Sequence, residues 1–281
     1  MVSLELEARL DNLLSTAQKE TAHIDLFAPI EEREECPVCL LPFPHDEKEN
    51  VFMSCCGKTV CCGCVYKNMM VESKNGVRDH KCAFCRQEQT NSIKSLKRLM
   101  KRNDPEAFIH MAMEYGSGER TLQSDTKSIE MYIRAAELGN SNAFVTLGNH
   151  YRMGSIVERD ALKSLEYYEI AAKKGSVEAH KYLAGFHGRN GNDHERIEHL
   201  KVVASAGDQI AMGDLMWCYK DQDDLISKED LARTLRTFQT SSNEMKSKDR
   251  ENARSFEEAR KKGEAPPAHL LADDNGQWTG F

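Results

Sequence analysis

Nine of the ten cysteines in this 281-residue chain lie between Cys36 and Cys85. Six of them form three Cys-x-x-Cys pairs, and two more are adjacent in sequence; the pairs are Cys36/Cys39, Cys61/Cys64, Cys82/Cys85 and Cys55–Cys56. A Cys-x-x-Cys spacing lets two thiolates bind one tetrahedral ion, with Zn–S bonds of about 2.3 Å. The stretch from Cys61 to Cys85 by itself has the spacing of a four-cysteine zinc site. Eight sulfurs suffice for two sites, so the sequence predicts two bound zinc ions, with Cys62 as a spare thiol and Cys218 as a small buried apolar residue.

Two other uses of clustered cysteines are less consistent with the rest of the chain. Disulfides need an oxidising compartment. The N-terminus is acidic and amphipathic rather than a secretory signal, and no run of 18 apolar residues predicts a membrane span. A redox Cys-x-x-Cys would be one pair in a strand–helix context. We therefore expect reduced, metal-binding thiols in the cytoplasm or nucleus. The net charge of −7 argues against general nucleic-acid binding.

The order of the cysteines from Glu35 to Gln89 resembles the RING finger of ubiquitin ligases, in an all-cysteine variety. That resemblance implies a cross-braced arrangement, in which Cys36, Cys39, Cys61 and Cys64 share one zinc and Cys55, Cys56, Cys82 and Cys85 share the other. Spacing alone leaves open two consecutive, unlinked sites. The family usually has one residue between its third and fourth ligands. If Cys56 is the third ligand, Lys58 occupies the usual histidine position, and His80 or His45 becomes the substitute ligand.

The same resemblance implies a ubiquitin ligase that has no catalytic residue of its own and binds a ubiquitin-conjugating enzyme. By position, the enzyme-binding residues are Val38, Met69 (or Met70), Ala83, Phe84 and Arg86. Ala83 stands where many active RING fingers have proline. A non-catalytic zinc scaffold for protein–protein interaction is the alternative, because fold does not settle function.

From Asp104 onward the chain repeats itself. The aligned alanines Ala107, Ala143, Ala179 and Ala211 are 36, 36 and 32 residues apart, and Gly139, Gly175 and Gly207 keep the same step. Each repeat has the pattern of two amphipathic helices, with the glycine as a left-handed C-cap after the second. The shorter third repeat has lost four residues between its helices, around 188–193. Because one helix pair cannot bury its own apolar face, the repeats should stack into a solenoid.

The repeats, with Ala135-Ala136-x-x-Gly139 and Leu147-Gly148-x-x-Tyr151, resemble Sel-one-like repeats, which are relatives of tetratricopeptide repeats. This resemblance implies a superhelix whose concave face holds a partner protein, and no catalysis.

The complete prediction is a mainly α chain in which a small two-zinc, cross-braced RING domain precedes an α-helical repeat solenoid. The segment 1–30 contains an amphipathic helix at 3–22. Because this helix has barely two heptads, we expect it to pack on a neighbouring domain rather than form a dimeric coiled coil. The RING domain spans 31–90, with a strand at 51–53 and a helix at 64–73 that buries Val65, Met69 and Val71 or Met70. A linker helix spans 91–103. The repeats cover 104–140, 141–176, 177–208 and a degenerate cap at 209–240, and 241–281 form an exposed charged helix and a mobile tail.

Overall fold

A computed structural model of the chain describes residues 3–30, 34–44, 49–74, 81–88, 93–221 and 225–264. The chain divides into two compact units. The repeat unit comprises Met1–Glu32 and Leu96–Ser242, and the cysteine unit comprises Arg33–Ser95 and Asn243–Phe281. Each unit is therefore built from two separate stretches of sequence. His45, His80 and the tail from 265 lie outside the described residues.

The repeat unit consists of helix pairs at the predicted period. After α3 (Ile93–Met100), the pairs are α4 (Pro105–Ser117) with α5 (Asp125–Glu137), α6 (Ser141–Met153) with α7 (Ala161–Lys173), α8 (Val177–Arg189) with α9 (Asp193–Ser205), and α10 (Gln209–Asp221) with α11 (Lys228–Met245). The first helices start 36, 36 and 32 residues apart, as the alanines do. The prediction of a mainly α fold with a helical repeat solenoid is confirmed.

The turns of the repeats follow the predicted local chemistry. Gly139, Gly175 and Gly207 have φ angles of 88°, 84° and 104°, which confirms the left-handed C-caps. The loop inside the third repeat runs only from 190 to 192, whereas the loops of the first two repeats run over 118–124 and 154–160. The four missing residues are therefore lost from this loop, and both helices of the third repeat keep their full length.

A capping column fixes the start of each repeat. Asp104, Asn140, Ser176 and Asp208 accept hydrogen bonds, through their side chains, from the backbone N–H groups of the four repeat alanines at 3.3, 3.1, 3.3 and 2.9 Å. Such caps satisfy N–H groups that the helix itself leaves without a partner. The four alanines are themselves buried. The repeated alanine thus marks both the first turn of a helix and a position in the core.

The N-terminal helix α1 (Leu4–Glu20) belongs to the repeat unit. Leu6, Leu10 and Leu13 are buried in the same core as the first repeats. The hydroxyl of Tyr167 in α7 donates to the carbonyl of Leu10 at 2.9 Å. The apolar face of α1 is therefore covered within its own chain, as expected for a packed helix rather than a dimerising one.

The cysteine unit contains an antiparallel hairpin of β1 (Asn50–Met53) and β2 (Lys58–Cys61), followed by α2 (Cys62–Lys74). Val65, Met69 and Met70, which were predicted on the buried side of α2, are half-buried. Val71, the predicted alternative to Met70, is 52% exposed, and the prediction missed the buried Tyr66 and Glu72. Glu72 accepts a hydrogen bond from the backbone N–H of Lys81 at 2.9 Å, and this bond accounts for a buried carboxylate that helical periodicity could not predict.

The C-terminal helix α12 (Lys248–Lys262) completes the cysteine unit. The prediction of an exposed helix was wrong for one face of α12, because Arg250, Ala253 and Ala259 are buried. Tyr66 of α2 packs against Phe256 with ring centroids 5.6 Å apart, and Lys67 pairs with Asp249 at 3.1 Å. Among the described residues, no helix is both long and apolar enough to cross a bilayer.

Candidate metal centres and surrounding surfaces

The structure gathers eight cysteines into two groups of four. Site 1 consists of Cys36, Cys39, Cys61 and Cys64, and site 2 consists of Cys55, Cys56, Cys82 and Cys85. Within each group the sulfur atoms lie within 4.8 Å of one another. The two groups alternate along the sequence, and they are the groups that the RING resemblance implies. Both could hold a metal ion.

The sulfur spacing fits a tetrahedral ion. In site 1, Cys36 and Cys64 are 3.9 Å apart and Cys39 and Cys61 are 3.8 Å apart, measured between Sγ atoms. In site 2 the corresponding separations are 3.5 Å for Cys55 and Cys85, and 4.0 Å for Cys56 and Cys82. A tetrahedron with Zn–S bonds of about 2.3 Å has S···S edges of about 3.8 Å. These separations are far longer than the S–S bond of a disulfide, about 2.05 Å.

The first and last cysteine pairs lie in two loops of the same form. The residue after each pair, Leu40 or Arg86, has a φ angle near +60°, and its N–H donates to the carbonyl of Cys36 or Cys82. Each loop is closed by a bridge, between Glu35 and Pro42 in one and between Lys81 and Glu88 in the other. A left-handed conformation at a leucine or an arginine is uncommon and costs energy. The strain is stored where two sulfurs must turn toward one point.

A hairpin accommodates the adjacent pair that departs from the family pattern. Met53 pairs with Lys58, so Cys55 and Cys56 lie in the four-residue turn between β1 and β2. The N–H groups of Cys56 and Gly57 donate to the carbonyl of Met53 at 3.0 and 2.8 Å, and Gly57 has a φ angle of 73°. This tight turn brings both neighbouring sulfurs to site 2. Lys58 is exposed in β2.

Backbone N–H groups favour the thiolate form of the first cysteine in each loop. Burial alone would raise the pKa of Cys36, but N–H groups of Cys61, Cys39 and Val38 donate to its sulfur and lower the pKa to about 7. At Cys82, burial is likewise outweighed by the N–H groups of Cys85 and Phe84, which lower its pKa. Such donors stabilise the charged form of a thiol.

Cys55 and Cys64 resist ionisation unless a cation is present. Burial and neighbouring thiols raise the pKa values of Cys55 and Cys64. A divalent cation removes this penalty, because a coordinated thiol is deprotonated outright. The donor set therefore suits a thiolate-bound metal. Cys62 lies outside both groups, and burial followed by the charge of Glu49 raises its pKa to about 11, which makes it unreactive. Cys218 is fully buried in the apolar core of the repeat unit.

Most residues that the RING resemblance assigns to a conjugating enzyme are accessible. Val38 and Phe84, one from each loop, are each 42% exposed. Met69 and Ala83 are half-buried. Two apolar side chains, one beside each cysteine group, thus remain partly exposed to solvent.

Arg86 is accessible but already has partners in its own unit. Its guanidinium pairs with Glu72 at 3.0 Å and donates a second hydrogen bond to the side chain of Asn68. Glu72 is buried, whereas the Arg86 side chain is 59% exposed. Any contact with a second protein would have to share or replace these bonds.

Arg250, which lies beside site 1, was not predicted from the sequence. It comes from α12, and its guanidinium approaches the Sγ atom of Cys39 at 3.7 Å. Arginine is rarely buried, so an arginine in a charge-rich helix is expected in solvent. The position of Arg250 follows only from the long-range packing of α12.

A groove of about 510 Å³ lies between α8, α9 and α10 of the repeat unit. Its lining combines apolar side chains, such as Leu200 and Ile210, with charged ones, including Lys181, which pairs with Asp208 at 2.9 Å. Elsewhere on α10, Met216 and Trp217 are about half exposed. Clefts of this size with apolar walls and a few polar groups are typical of ligand-binding sites.

Comparisons with known proteins bear on the repeats. Residues 105–140 and 147–176 match the family model described as Sel1 repeat, which confirms the repeat resemblance for those segments. No RING or other zinc-finger model matches the cysteine segment. A search of curated proteins gave no match.

Two solved structures are similar at low identity. One is a Sel1 repeat protein from Oxalobacter formigenes, 22% identical, covering 64% of this chain and 73% of that chain, with a TM-score of 0.46. The other is a protective antigen of uropathogenic Escherichia coli strains that displays an SLR fold, 21% identical, with a TM-score of 0.44. That match covers 73% of this chain and 43% of the antigen.

Proposed function

We propose that the cysteine unit binds two zinc ions and acts as a RING-type ubiquitin ligase module, while the repeats hold a protein partner or substrate. The observation that carries the proposal is the alternation of two four-sulfur groups along the chain, each with tetrahedral spacing. Closed sites of four thiolates are typical of structural zinc. The zinc ions would stabilise a unit whose buried core consists largely of the cysteines themselves. The proposal places the protein in a reducing compartment, the cytoplasm or nucleus.

In this proposal, ligase activity needs no nucleophile on the chain. A conjugating enzyme that carries ubiquitin as a thioester would dock on Val38, Phe84, Ala83 and Met69, and a substrate lysine would attack the thioester. The chain's contribution is orientation, which lowers the barrier by holding the reactants in a productive pose. Arg86 would move from Glu72 to the docked ubiquitin and conjugating enzyme, since an arginine fork can bridge two acceptors.

The repeats supply the second half of the proposal. Helical repeats of this kind form extended surfaces for other proteins. The groove between α8, α9 and α10 is the candidate surface, and α10 also exposes Trp217. A fragment used to capture partners should include α1, because its leucines are part of the repeat core.

The second candidate function is a zinc-stabilised scaffold without ligase activity. Two observations favour it: Ala83 replaces the usual proline, and Arg86 is engaged with Glu72 and Asn68. A RING-like unit that recruits no conjugating enzyme would still present the repeats to their partners.

Zinc analysis combined with a ubiquitination assay separates the two. The full chain would be incubated with activating enzyme, a panel of conjugating enzymes, ATP and ubiquitin. The ligase proposal expects ubiquitin chains that disappear in Val38→Ala and Phe84→Ala at unchanged zinc content. Leu162→Ala, which removes an apolar side chain 73% exposed in the repeat unit, is the matched control and should remain active. If no conjugating enzyme of the panel supports chain formation, the ligase proposal is refuted and the scaffold function remains. A protein that contains no zinc would refute both candidate functions.

A further inference from the structure

Arg250 is buried to an extent that is unusual for an arginine. None of its surface is exposed, and it lies in the first turn of α12, where Ser247 caps the helix by accepting from the Arg250 N–H. One terminal nitrogen donates to the carbonyls of Pro42 and Met245 at 2.8 and 3.0 Å. The other lies 3.4 Å from the Leu41 carbonyl and 3.7 Å from Cys39 Sγ. Its Nε is buried and makes no hydrogen bond with a described residue.

The guanidinium charge is compensated by sulfur rather than by a carboxylate. Its partners among the described residues are three carbonyls and the sulfur of Cys39. A buried charge without an opposite charge is strongly destabilising. Four thiolates around a divalent ion carry a net charge of about −2, and that charge suits a guanidinium nitrogen 3.7 Å from the Sγ atom of Cys39.

Helix α12, which carries Arg250, packs against α2, which carries the site 1 residue Cys64. Gly63 precedes Cys64 in the first turn of α2, and a Cβ built at Gly63 would lie 2.8 Å from both Cγ and N of Arg250. Since Gly63 has no left-handed φ, its small size serves this close contact rather than a turn. The contact between α2 and α12 at Gly63 is therefore directly adjacent to Cys64 of site 1.

We propose that Arg250 is a positioning residue of site 1, so that metal binding at site 1 and docking of α12 stabilise each other. This inference deepens the proposed zinc function and rests on it. Because such coupling is reciprocal, loosening α12 must weaken metal binding at site 1 by the same factor that metal loss loosens α12. Residues that support a metal site from outside the ligand set typically change metal affinity by about 10–100-fold.

The test measures zinc release from the full chain to a chromogenic chelator. In Arg250→Met, one of the two zinc ions should leave about 10–100-fold faster, and the other at the wild-type rate. Arg250→Lys, which keeps the charge but not the fork, should fall between. Arg254→Met is the matched control, because Arg254 is one turn further along α12, about half exposed, and pairs with Glu49 at 3.0 Å. It should release both ions as the wild type does.

Two further measurements make the result independent of how Arg250→Met folds. Gly63→Ala displaces α12 without altering a sulfur or a charge, and it should also accelerate release of one zinc. Removal of zinc from the wild type should increase amide exchange across 248–262. A wild type without two zinc ions would refute the metal proposal and this inference together. Two zinc ions with wild-type release in Arg250→Lys and Gly63→Ala would overturn the inference alone.

Discussion

Acidification should destabilise the repeat unit through a pair of buried histidines. His180 of α8 and His199 of α9 are each 1% exposed, and their Nδ1 atoms are 2.9 Å apart. The ring of His199 also contacts Phe27 and His187. Burial lowers the pKa of His180 to about 4, and burial with the charges of His180 and His187 lowers that of His199 to about 3. Unfolding returns both pKa values to about 6.5.

Because proton binding is linked to folding, the two lowered pKa values determine how the free energy of unfolding changes with pH. Between pH 6.5 and about 4, the unfolded chain binds protons that the folded chain does not, so the free energy of unfolding falls as the pH falls. For His180 alone the loss between pH 7.5 and pH 5 is about 2 kcal/mol. The pair shares one hydrogen bond, so the two losses are not independent, and we expect about 2–4 kcal/mol in total.

The assay is urea unfolding of the full chain, followed by helical circular dichroism, at several pH values from 7.5 to 5. The variant His180→Leu/His199→Leu removes both partners of the hydrogen bond and should lose most of the pH slope. His194→Leu, which removes an exposed histidine of α9, is the control and should keep the slope. Equal slopes in the wild type and the double variant would refute the reasoning, as would a wild-type stability that does not change with pH.

Three other predictions concern packing and metal. Leu10→Ala, at a fully buried position of α1, should cost about 2–5 kcal/mol in urea unfolding, and a loss below about 1 kcal/mol would contradict the packing of α1 on the repeats. Gly148→Ala places a Cβ 2.9 Å from the Tyr168 ring and should cost about 1–3 kcal/mol, whereas Gly213→Ala, with no atom within 4 Å of the new Cβ, should gain up to about 1 kcal/mol; the reverse order in thermal melts would contradict the helix contacts. Zinc removal by a chelator at neutral pH should unfold the cysteine unit and preserve most of the helical signal, because the helix pairs belong to the other unit. Loss of the whole signal would argue against separate units.

The repeats were predictable from sequence because the same residue types recur at equivalent positions of successive repeats. The alanine column, the glycine C-caps and the four-residue shortening are all local features, and the structure contains them at the expected positions. The capping column could have been found too, since Asp104, Asn140, Ser176 and Asp208 each precede an aligned alanine by three residues. The grouping of the cysteines was accessible only through a family resemblance, because spacing cannot separate interleaved from consecutive sites.

Long-range polar packing was not predictable. Glu72 is buried because its partners come from Lys81 and Arg86, outside its own helix. Arg250 is buried because α12 returns to the cysteine unit after the entire repeat array. Neither contact leaves a periodic trace in the sequence, and both involve residue types that sequence reasoning places in water.

The return of α12 also sets an order of events during synthesis. At about 5–20 residues per second, roughly 10–30 s separates translation of Cys85 from translation of Arg250. Throughout this interval the nascent chain contains every cysteine of both groups but lacks the helix that seals one of them. A ribosome that stalls within the repeats leaves a product with all its thiols and an unfinished cysteine unit. The cysteine unit can therefore be completed only after α12 has been translated, long after its own cysteines.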